Sequence, residues 1–248
     1  MSEYCRYIKS DIYKLWHSWY FAVHLLFSVL GAALMLFYSK ISSDSGLNKL
    51  AAFTQIIAVA FPFAISIVCQ VVAEQELQAG HFQNMLTLPS RIKAVFSKLS
   101  ILLISGLFSA VLSTVLFALP FSLVTGTKLS AGFFVLIPIV LWASNIMMYG
   151  LHLILAFRFG TNFGISIGVI GSLLSALLQT SLGAGIWYVI PYGLGIHFTE
   201  SALTYLFDLP FMTDSEIRIG IIYCIVVTCG IIGLTIFWFS RYGGTYSE

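Results

Sequence analysis

The charged residues best placed to contact another molecule lie in one stretch, residues 74–98, between two long apolar runs. Glu74 and Glu76 stand where the preceding run ends, Gly80 permits a turn, and a basic group that ends with Lys98 leads into the next run. This order is typical of a contact segment and not of a catalytic site. It predicts the place where the protein touches something in the cytosol.

A short helix is predicted inside this segment, around residues 77–88. Phe82, Met85, Leu86 and Leu88 form an apolar face before Pro89 stops the helix, and Arg91, Lys93 and Lys98 return the chain to the membrane surface. With its apolar face exposed to the cytosol, this helix would dock on a partner. The alternative is an amphipathic loop that rests on lipid, which composition alone favours.

Motifs of self-contained chemistry are missing from the sequence. It contains no GxxxxGK[ST], HExxH or GxSxG, so nucleotide binding and hydrolytic catalysis lack their usual residues. All ten acidic residues fall in loops, termini or interfacial stretches. Autonomous ion coupling normally needs ionisable groups inside the membrane, and an energy source therefore has to come from elsewhere. We predict neither an enzyme nor a metal site.

Three polar residues inside apolar runs are candidates for a substrate pathway, namely His24, Asn145 and His152. The alternative is that they form hydrogen bonds between neighbouring helices. The four cysteines have no CxxC spacing, so disulfides and metal binding are poorly supported, and we expect small buried apolar side chains.

The composition predicts an integral membrane protein, because 59% of the 248 residues are hydrophobic and only 9% are charged. A helix needs about 20 apolar residues to cross the hydrocarbon core. We expect six spans, at residues 19–38, 50–73, 99–124, 131–157, 163–190 and 219–240. The net charge of +2 is small and spread over the loops, which excludes nucleic acid as an expected partner.

The distribution of basic residues predicts that both termini are cytoplasmic. With that orientation eight Lys and Arg lie inside, namely Arg6, Lys9, Lys14, Arg91, Lys93, Lys98, Arg158 and Arg241. Four lie outside, namely Lys40, Lys49, Lys128 and Arg218. The outer segment 191–217 carries Glu200, Asp208, Asp214 and Glu216, which would either attract a cationic substrate or simply aid solubility.

Residues 1–18 predict an amphipathic helix on the inner membrane surface, because apolar and basic residues alternate at helical spacing there. Between the fifth and sixth spans, residues 183–217 predict short re-entrant outer helices with an aromatic belt of Trp187, Tyr188, Tyr192 and Tyr205. Pro62 and Pro138 predict kinks, and these are either hinges or static packing features.

Small residues at four-residue intervals in the fifth span predict a helix-packing face. They are Gly164, Gly168, Ser172 and Ala176. This face would meet either a helix of the same chain or another subunit.

The order of residues in the contact segment resembles the inner loop of permease subunits in type-2 ABC exporters, whose pattern is E, G, LL, P-S-R and K. The matching residues are Glu74, Glu76, Gly80, Phe82, Leu86, Pro89, Ser90, Arg91 and Lys98, while Met85 replaces one leucine of the pair. In that family the loop is a coupling helix that docks on the ATPase. The resemblance covers the whole chain, 1–248, as one all-α permease domain.

The resemblance implies a multi-pass protein of the bacterial plasma membrane that has no cofactor of its own. Two ATPase subunits would bind ATP and Mg and carry out the hydrolysis, and a second, homologous permease would complete the complex. The opening YIKSDIYKLWHSWYFAVHLL and the stretch WYVIPYGLGIHF look like the G-type permease of lantibiotic-immunity transporters. This implies export of an amphiphilic antimicrobial peptide from the membrane. Another amphiphile or lipid-linked substrate, or a stand-alone carrier or channel, remains an alternative.

Overall fold

The computed structural model describes residues 3–209 and 214–244, and every regular element in these ranges is helical. Parts of the predicted segments 1–18 and 183–217, residues 1–2 and 210–213, lie outside the described residues, as do residues 245–248 and the side chain of Asp214. The helices are α1 Glu3–Trp16, α2 Tyr20–Ile41, α3 Gly46–Gln78, α4 Gln83–Leu86, α5 Arg91–Thr125, α6 Ala131–Ser144, α7 Ile146–Phe159, α8 Thr161–Leu178, α9 Pro191–Leu206 and α10 Asp214–Ser240.

Four helices in the described part of the chain, α2, α3, α5 and α10, are long and apolar enough to span a membrane. The bent pair of α6 and α7 makes a fifth span if it is counted as one. The chain is therefore a multi-pass membrane protein. The remaining predicted span, 163–190, corresponds to the shorter α8 followed by two 3₁₀ turns, Ser181–Gly183 and Trp187–Val189.

The helix bend falls at a different place from the one that the prolines predict. α6 and α7 meet at an angle of 42°, and the junction is Asn145, about two turns beyond Pro138. α3 continues as one helix through Pro62, and α5 does the same through Pro120. Neither helix is interrupted at its proline, since the rest of its backbone hydrogen bonds persist on both sides.

α3 is the central helix and packs against α2, α7, α8 and α9. The small-residue face of α8 explains its close approach to α3, because a Cβ atom at Gly168 would lie 2.0 Å from Ser66 Oγ. A Cβ at Gly164 would likewise lie 3.0 Å from Gln70 Oε1. These two glycines thus pack within the chain, and Ser172 and Ala176 continue the same face, half-buried.

The segment after α8 folds back into the bundle. α9 packs against α3, α6, α8 and α10 and buries most of its residues. Trp187 is also buried, stacks on His197 and donates from Nε1 to Glu216 Oε2 at 3.2 Å, so it is a packing residue and not part of an exposed aromatic belt. Tyr205, by contrast, is exposed.

The cysteines differ from the expectation of four buried side chains. Only Cys69 is buried, whereas Cys5 and Cys229 are exposed and Cys224 is half-buried. All four are free thiols. The exposure of Cys229 is compatible with its apolar surroundings, because the outer surface of α10 faces hydrocarbon in a membrane.

Candidate functional site

Several contacts bring α1, the segment 74–98 and the last described residues to the same end of the bundle. Lys14 of α1 reaches Glu76 at the end of α3. Arg91 at the start of α5 donates from Nη1 to the backbone oxygen of Tyr242 at 2.9 Å. Tyr242 in turn donates its hydroxyl to the backbone oxygen of Phe157 at the end of α7, at 3.1 Å. We call this end of the molecule the coupling end.

A buried group of charges joins three helices at the coupling end. Lys98 Nζ donates to Glu76 Oε1 at 2.6 Å and to Asp11 Oδ1 at 2.9 Å. Lys14 Nζ donates to the same Glu76 oxygen at 2.9 Å, and the Ser97 hydroxyl donates to Asp11 Oδ2 at 2.6 Å. These five residues form the ion cluster, in which α1 contributes Asp11 and Lys14, α3 contributes Glu76, and α5 contributes Ser97 and Lys98.

The ion cluster is buried because its charges lie on the inward faces of their helices. Glu76 follows the buried residues Val72 and Ala73 by one helical turn, and it is only 1% exposed. Lys98 lies one turn before the buried Leu102 and is 5% exposed. The core-facing stripes of α3 and α5 therefore end in opposite charges, which meet where the two helices converge.

Burial makes the ion cluster sensitive to the loss of any one charge. Two carboxylates and two ammonium groups balance each other, so the desolvation cost of each is offset by its partners. Removal of a single partner from such a group leaves an uncompensated charge, and this costs about 3–5 kcal/mol. One acceptor, Glu76 Oε2, has no hydrogen-bond partner among the described residues. It adjoins a small cavity of about 170 Å³ between α1, α3 and α5.

The predicted coupling helix has a different form from the expected one. α3 extends to Gln78, and only the single turn α4, Gln83–Leu86, is helical before Pro89. The connection between them is tight: Gly80, His81 and Phe82 have φ of 133°, 49° and 66°. Left-handed backbone is costly at His81 and Phe82, because both carry a Cβ, so surrounding contacts must hold this turn.

Phe82 supplies one such contact and corrects the expectation of an apolar face exposed to the cytosol. It is 1% exposed, with its ring 5.5 Å from that of Phe157 and 5.6 Å from that of Tyr242. Met85 is also buried, and Leu86 is half-buried against Gly244. The apolar residues thus fasten the segment to the bundle.

Among the described side chains, the surface that the segment leaves exposed carries five polar residues and four apolar ones. It comprises Gln78, Ala79, His81, Gln83, Thr87, Pro89, Ile92, Lys93 and Phe96. We call this set the coupling surface. Glu74, Gly80 and Arg91 are half-buried at its edges. Of the residues predicted to couple to the ATPase, Pro89 is therefore exposed, whereas Glu76, Phe82, Met85 and Lys98 are buried.

The three residues predicted for a substrate pathway do not form one group. Asn145 and His152 both face α9, where Asn145 lies against Gly195 and His152 Nε2 is 3.3 Å from the hydroxyl of Tyr192. Asn145 Nδ2 also donates to the backbone oxygen of Leu141 at 2.8 Å. His24 lies on α2, whose packing partners are α1, α3 and α5, and its ring meets Tyr20 edge-on.

Sequence reasoning missed Asp11 and the pairing of Lys14 with Glu76. A signal was present, because Asp11 shares one face of α1 with Ile8 and Leu15, at spacings of three and four residues. A carboxylate on the apolar face of an amphipathic helix requires a buried partner. Lys98, on the inward stripe of α5, is that partner.

The chain is thus a multi-pass membrane protein in which a buried ion cluster joins α1, α3 and α5 at one end. A family model described as ABC-2 family transporter protein matches residues 7–177, which is more than half of the chain. The chain therefore belongs to this family, the membrane component of ABC transporters, and an ABC ATPase is its implied partner. No curated protein and no solved structure matches the chain.

Proposed function

We propose that this chain is the permease of an ATP-driven exporter and that its ATPase docks on the coupling surface. The carrying observation is the ion cluster, which ties the segment behind this surface to α1, α3 and α5. A displacement of the segment by the ATPase would then move three helices together. Without the ion cluster, α3 and α5 would still be joined to the segment through the chain, but α1 would not follow them.

The mechanism needs no chemistry from the chain itself. Two partner ATPase subunits bind ATP and Mg and close, the coupling surface moves with them, and the attached spans tilt to change access. In this proposal the termini are cytoplasmic, α8 completes six crossings, and a second, homologous permease completes the pathway. The anchoring of Phe82 between Phe157 and Tyr242 supports the transfer of motion to α7 and α10 as well.

Substitutions on the coupling surface test the docking. We expect His81→Glu combined with Gln83→Glu to abolish co-purification of the ATPase, because both side chains are exposed and new charges would oppose a complementary surface. The matched control is Ser43→Glu combined with Lys128→Glu, which places charges on exposed residues of two loops outside the segment. Both variants should unfold at the temperature of the wild type, since no buried group is altered. Equal ATPase recovery from the two variants would contradict the proposal.

For the substrate, we propose an amphiphilic cationic peptide of the lantibiotic type. The support is the resemblance of the opening stretch and of WYVIPYGLGIHF to G-type immunity permeases. Asp208 is exposed and Glu200 is half-buried, so they can act on a cation at long range. Glu216 already accepts a hydrogen bond from Trp187 and is a weaker candidate.

The peptide proposal is tested in cells that depend on the transporter for immunity. Asp208→Asn combined with Glu200→Gln should raise sensitivity to the peptide at low salt, and the difference should shrink at high salt because screening weakens long-range attraction. Unchanged sensitivity at low salt would leave solubility as the role of these carboxylates. Immunity that does not depend on the chain at all would remove the peptide as substrate.

A further inference from the structure

An open apolar cleft lies between α6, α9 and α10, toward the end of the bundle opposite the coupling end. Its volume is about 590 Å³, and its walls include Val140 and Ala143 of α6, Ala202 of α9, and Ile221, Cys224 and Ile225 of α10. The cleft is open to the side, along the outer surface of α10. This feature has no part in the docking proposed above.

The bend at Asn145 explains why the cleft exists. α10 packs closely on α7, where a Cβ at Gly150 would lie only 2.8 Å from Thr235 Oγ1. Beyond the 42° bend, α6 diverges from α10, and α9 fills only the inner part of the gap. α10 is therefore packed tightly against α7 on one side of the bend and separated from α6 on the other side.

The chemistry of the walls selects an aliphatic occupant. Four hydroxyl-bearing residues line the cleft, Ser144, Ser201, Tyr205 and Thr228. The hydroxyls of Ser144 and Ser201 are donated to the backbone oxygens of Val140 and His197, at 2.8 Å each. Water is held in cavities by several polar partners, and a site without them stays free of water. The cleft opens on the hydrocarbon of the membrane, so the material available to fill it is lipid.

The dimensions of the cleft match one acyl chain. Along α10 the wall residues run from Ile217 to Cys229, which is about 18 Å at the α-helical rise of about 1.5 Å per residue. One leaflet of the hydrocarbon core is about 15 Å thick, half of the roughly 30 Å of a bilayer. The cleft thus runs parallel to α10 over the depth of a single leaflet, the one opposite the coupling end.

We propose that this cleft binds one acyl chain of a membrane phospholipid in the leaflet opposite the coupling end. The acyl chain fills the space between α6 and α10 and replaces the helix contacts that the bend removes. This inference depends on the membrane location of the protein and not on the identity of its substrate or ATPase.

Photolabelling of the full chain tests the proposal. The protein is reconstituted in vesicles of phosphatidylcholine and phosphatidylglycerol that contain a phosphatidylcholine with a diazirine in one acyl chain. After irradiation, mass spectrometry maps the adducts. We expect them to be several-fold enriched on residues 221–229 of α10 over the lipid-exposed residues Ile170 and Leu173 of α8.

Two filling variants and a matched control sharpen the test. Ala143→Trp fills the cleft from α6, and Cys229→Trp fills it from α10. Because Cys229 is exposed, the second variant should fold even if the first does not. Each should reduce the adducts on residues 221–225 several-fold. Ile222→Trp adds the same bulk to the exposed surface of α10 outside the cleft and should leave them unchanged.

Three outcomes would overturn the proposal. Adducts spread evenly over α8 and α10 would mean ordinary solvation by lipid. Adducts unaffected by either filling variant would place the lipid elsewhere. Efficient disulfide cross-linking between copies that retain Cys229 as their only cysteine would mean that a second chain covers the cleft.

Discussion

The two ends of this molecule are held together by different forces. At the coupling end, paired charges and directional hydrogen bonds fix α1, α3 and α5 in one arrangement. At the other end, α6 and α10 are separated by an apolar cleft of about 590 Å³. Directional bonds define one geometry, whereas apolar walls permit helices to separate and close again. In the proposed mechanism, force would enter at the end that is fixed by directional bonds, and the helices would separate or close at the open end.

The largest expected effect is at the centre of the ion cluster. Lys98→Met removes the ammonium group that Asp11 and Glu76 share, so that Asp11 loses its ion pair in the cluster and Glu76 keeps only the partly exposed Lys14. We expect a loss of about 3–5 kcal/mol in the free energy of unfolding, measured by reversible denaturation in mixed micelles.

A compensated variant separates this charge effect from a packing effect. Lys98→Met combined with Asp11→Asn and Glu76→Gln has no uncompensated buried carboxylate, and it should recover much of the lost stability. A single Lys98→Met variant as stable as the wild type would show that the ion cluster does not hold the coupling end together.

The next effect compares the two sides of the bend at Asn145. Gly150→Val places a branched side chain against Thr235 and Ile231, where even a Cβ would lie 2.8 Å from Thr235 Oγ1 and 3.2 Å from Ile231 Cγ2. Overpacking of this kind costs about 1–3 kcal/mol in the free energy of unfolding. Ala143→Val adds bulk to the cleft wall and should change stability by less than about 0.5 kcal/mol. Similar losses for the two variants would erase the distinction between the packed and open sides.

The smallest effect is expected at the rim of the ion cluster. The side chain of Lys14 is 26% exposed, and Glu76 keeps Lys98 when Lys14 is removed. Lys14→Met should therefore cost about 1 kcal/mol or less in the free energy of unfolding, measured as for Lys98→Met. A loss as large as that of Lys98→Met would mean that the two lysines contribute equally, contrary to the difference in their burial.

The long apolar spans were predictable because an uninterrupted apolar run of about 20 residues has few structural roles other than crossing a membrane. α2, α3, α5 and α10 are found where those runs lie. The bend at Asn145 was not predictable from Pro138, because it falls where the Asn145 side-chain amide bonds the backbone oxygen of Leu141 and the Asn145 backbone N–H bonds Trp142 instead. Short helices were predicted in place of α9, because its glycines and His197 weaken the helical pattern. Its buried contacts stabilise one continuous helix instead.

The location of the candidate site along the chain stays a prediction, whereas the expected orientation of its apolar residues was wrong. Phe82 and Met85 were predicted to face a partner, and both are buried because the aromatic residues of α7 and the chain end lie beneath them. The sequence contains no local sign of these distant neighbours. Glu76 and Lys98 were predicted to take part in coupling to the ATPase, and their burial follows from the position of α1, which only the three-dimensional packing reveals.

The most direct test of the central claim is site-specific cross-linking to the ATPase in intact cells. The central claim is that the coupling surface is where the ATPase acts. Photoreactive residues at His81 and Gln83, both exposed, should cross-link to the ATPase, whereas the same residue at Ser43 or Lys128 should not. Cross-links from Ser43 or Lys128, with none from His81 or Gln83, would contradict the account.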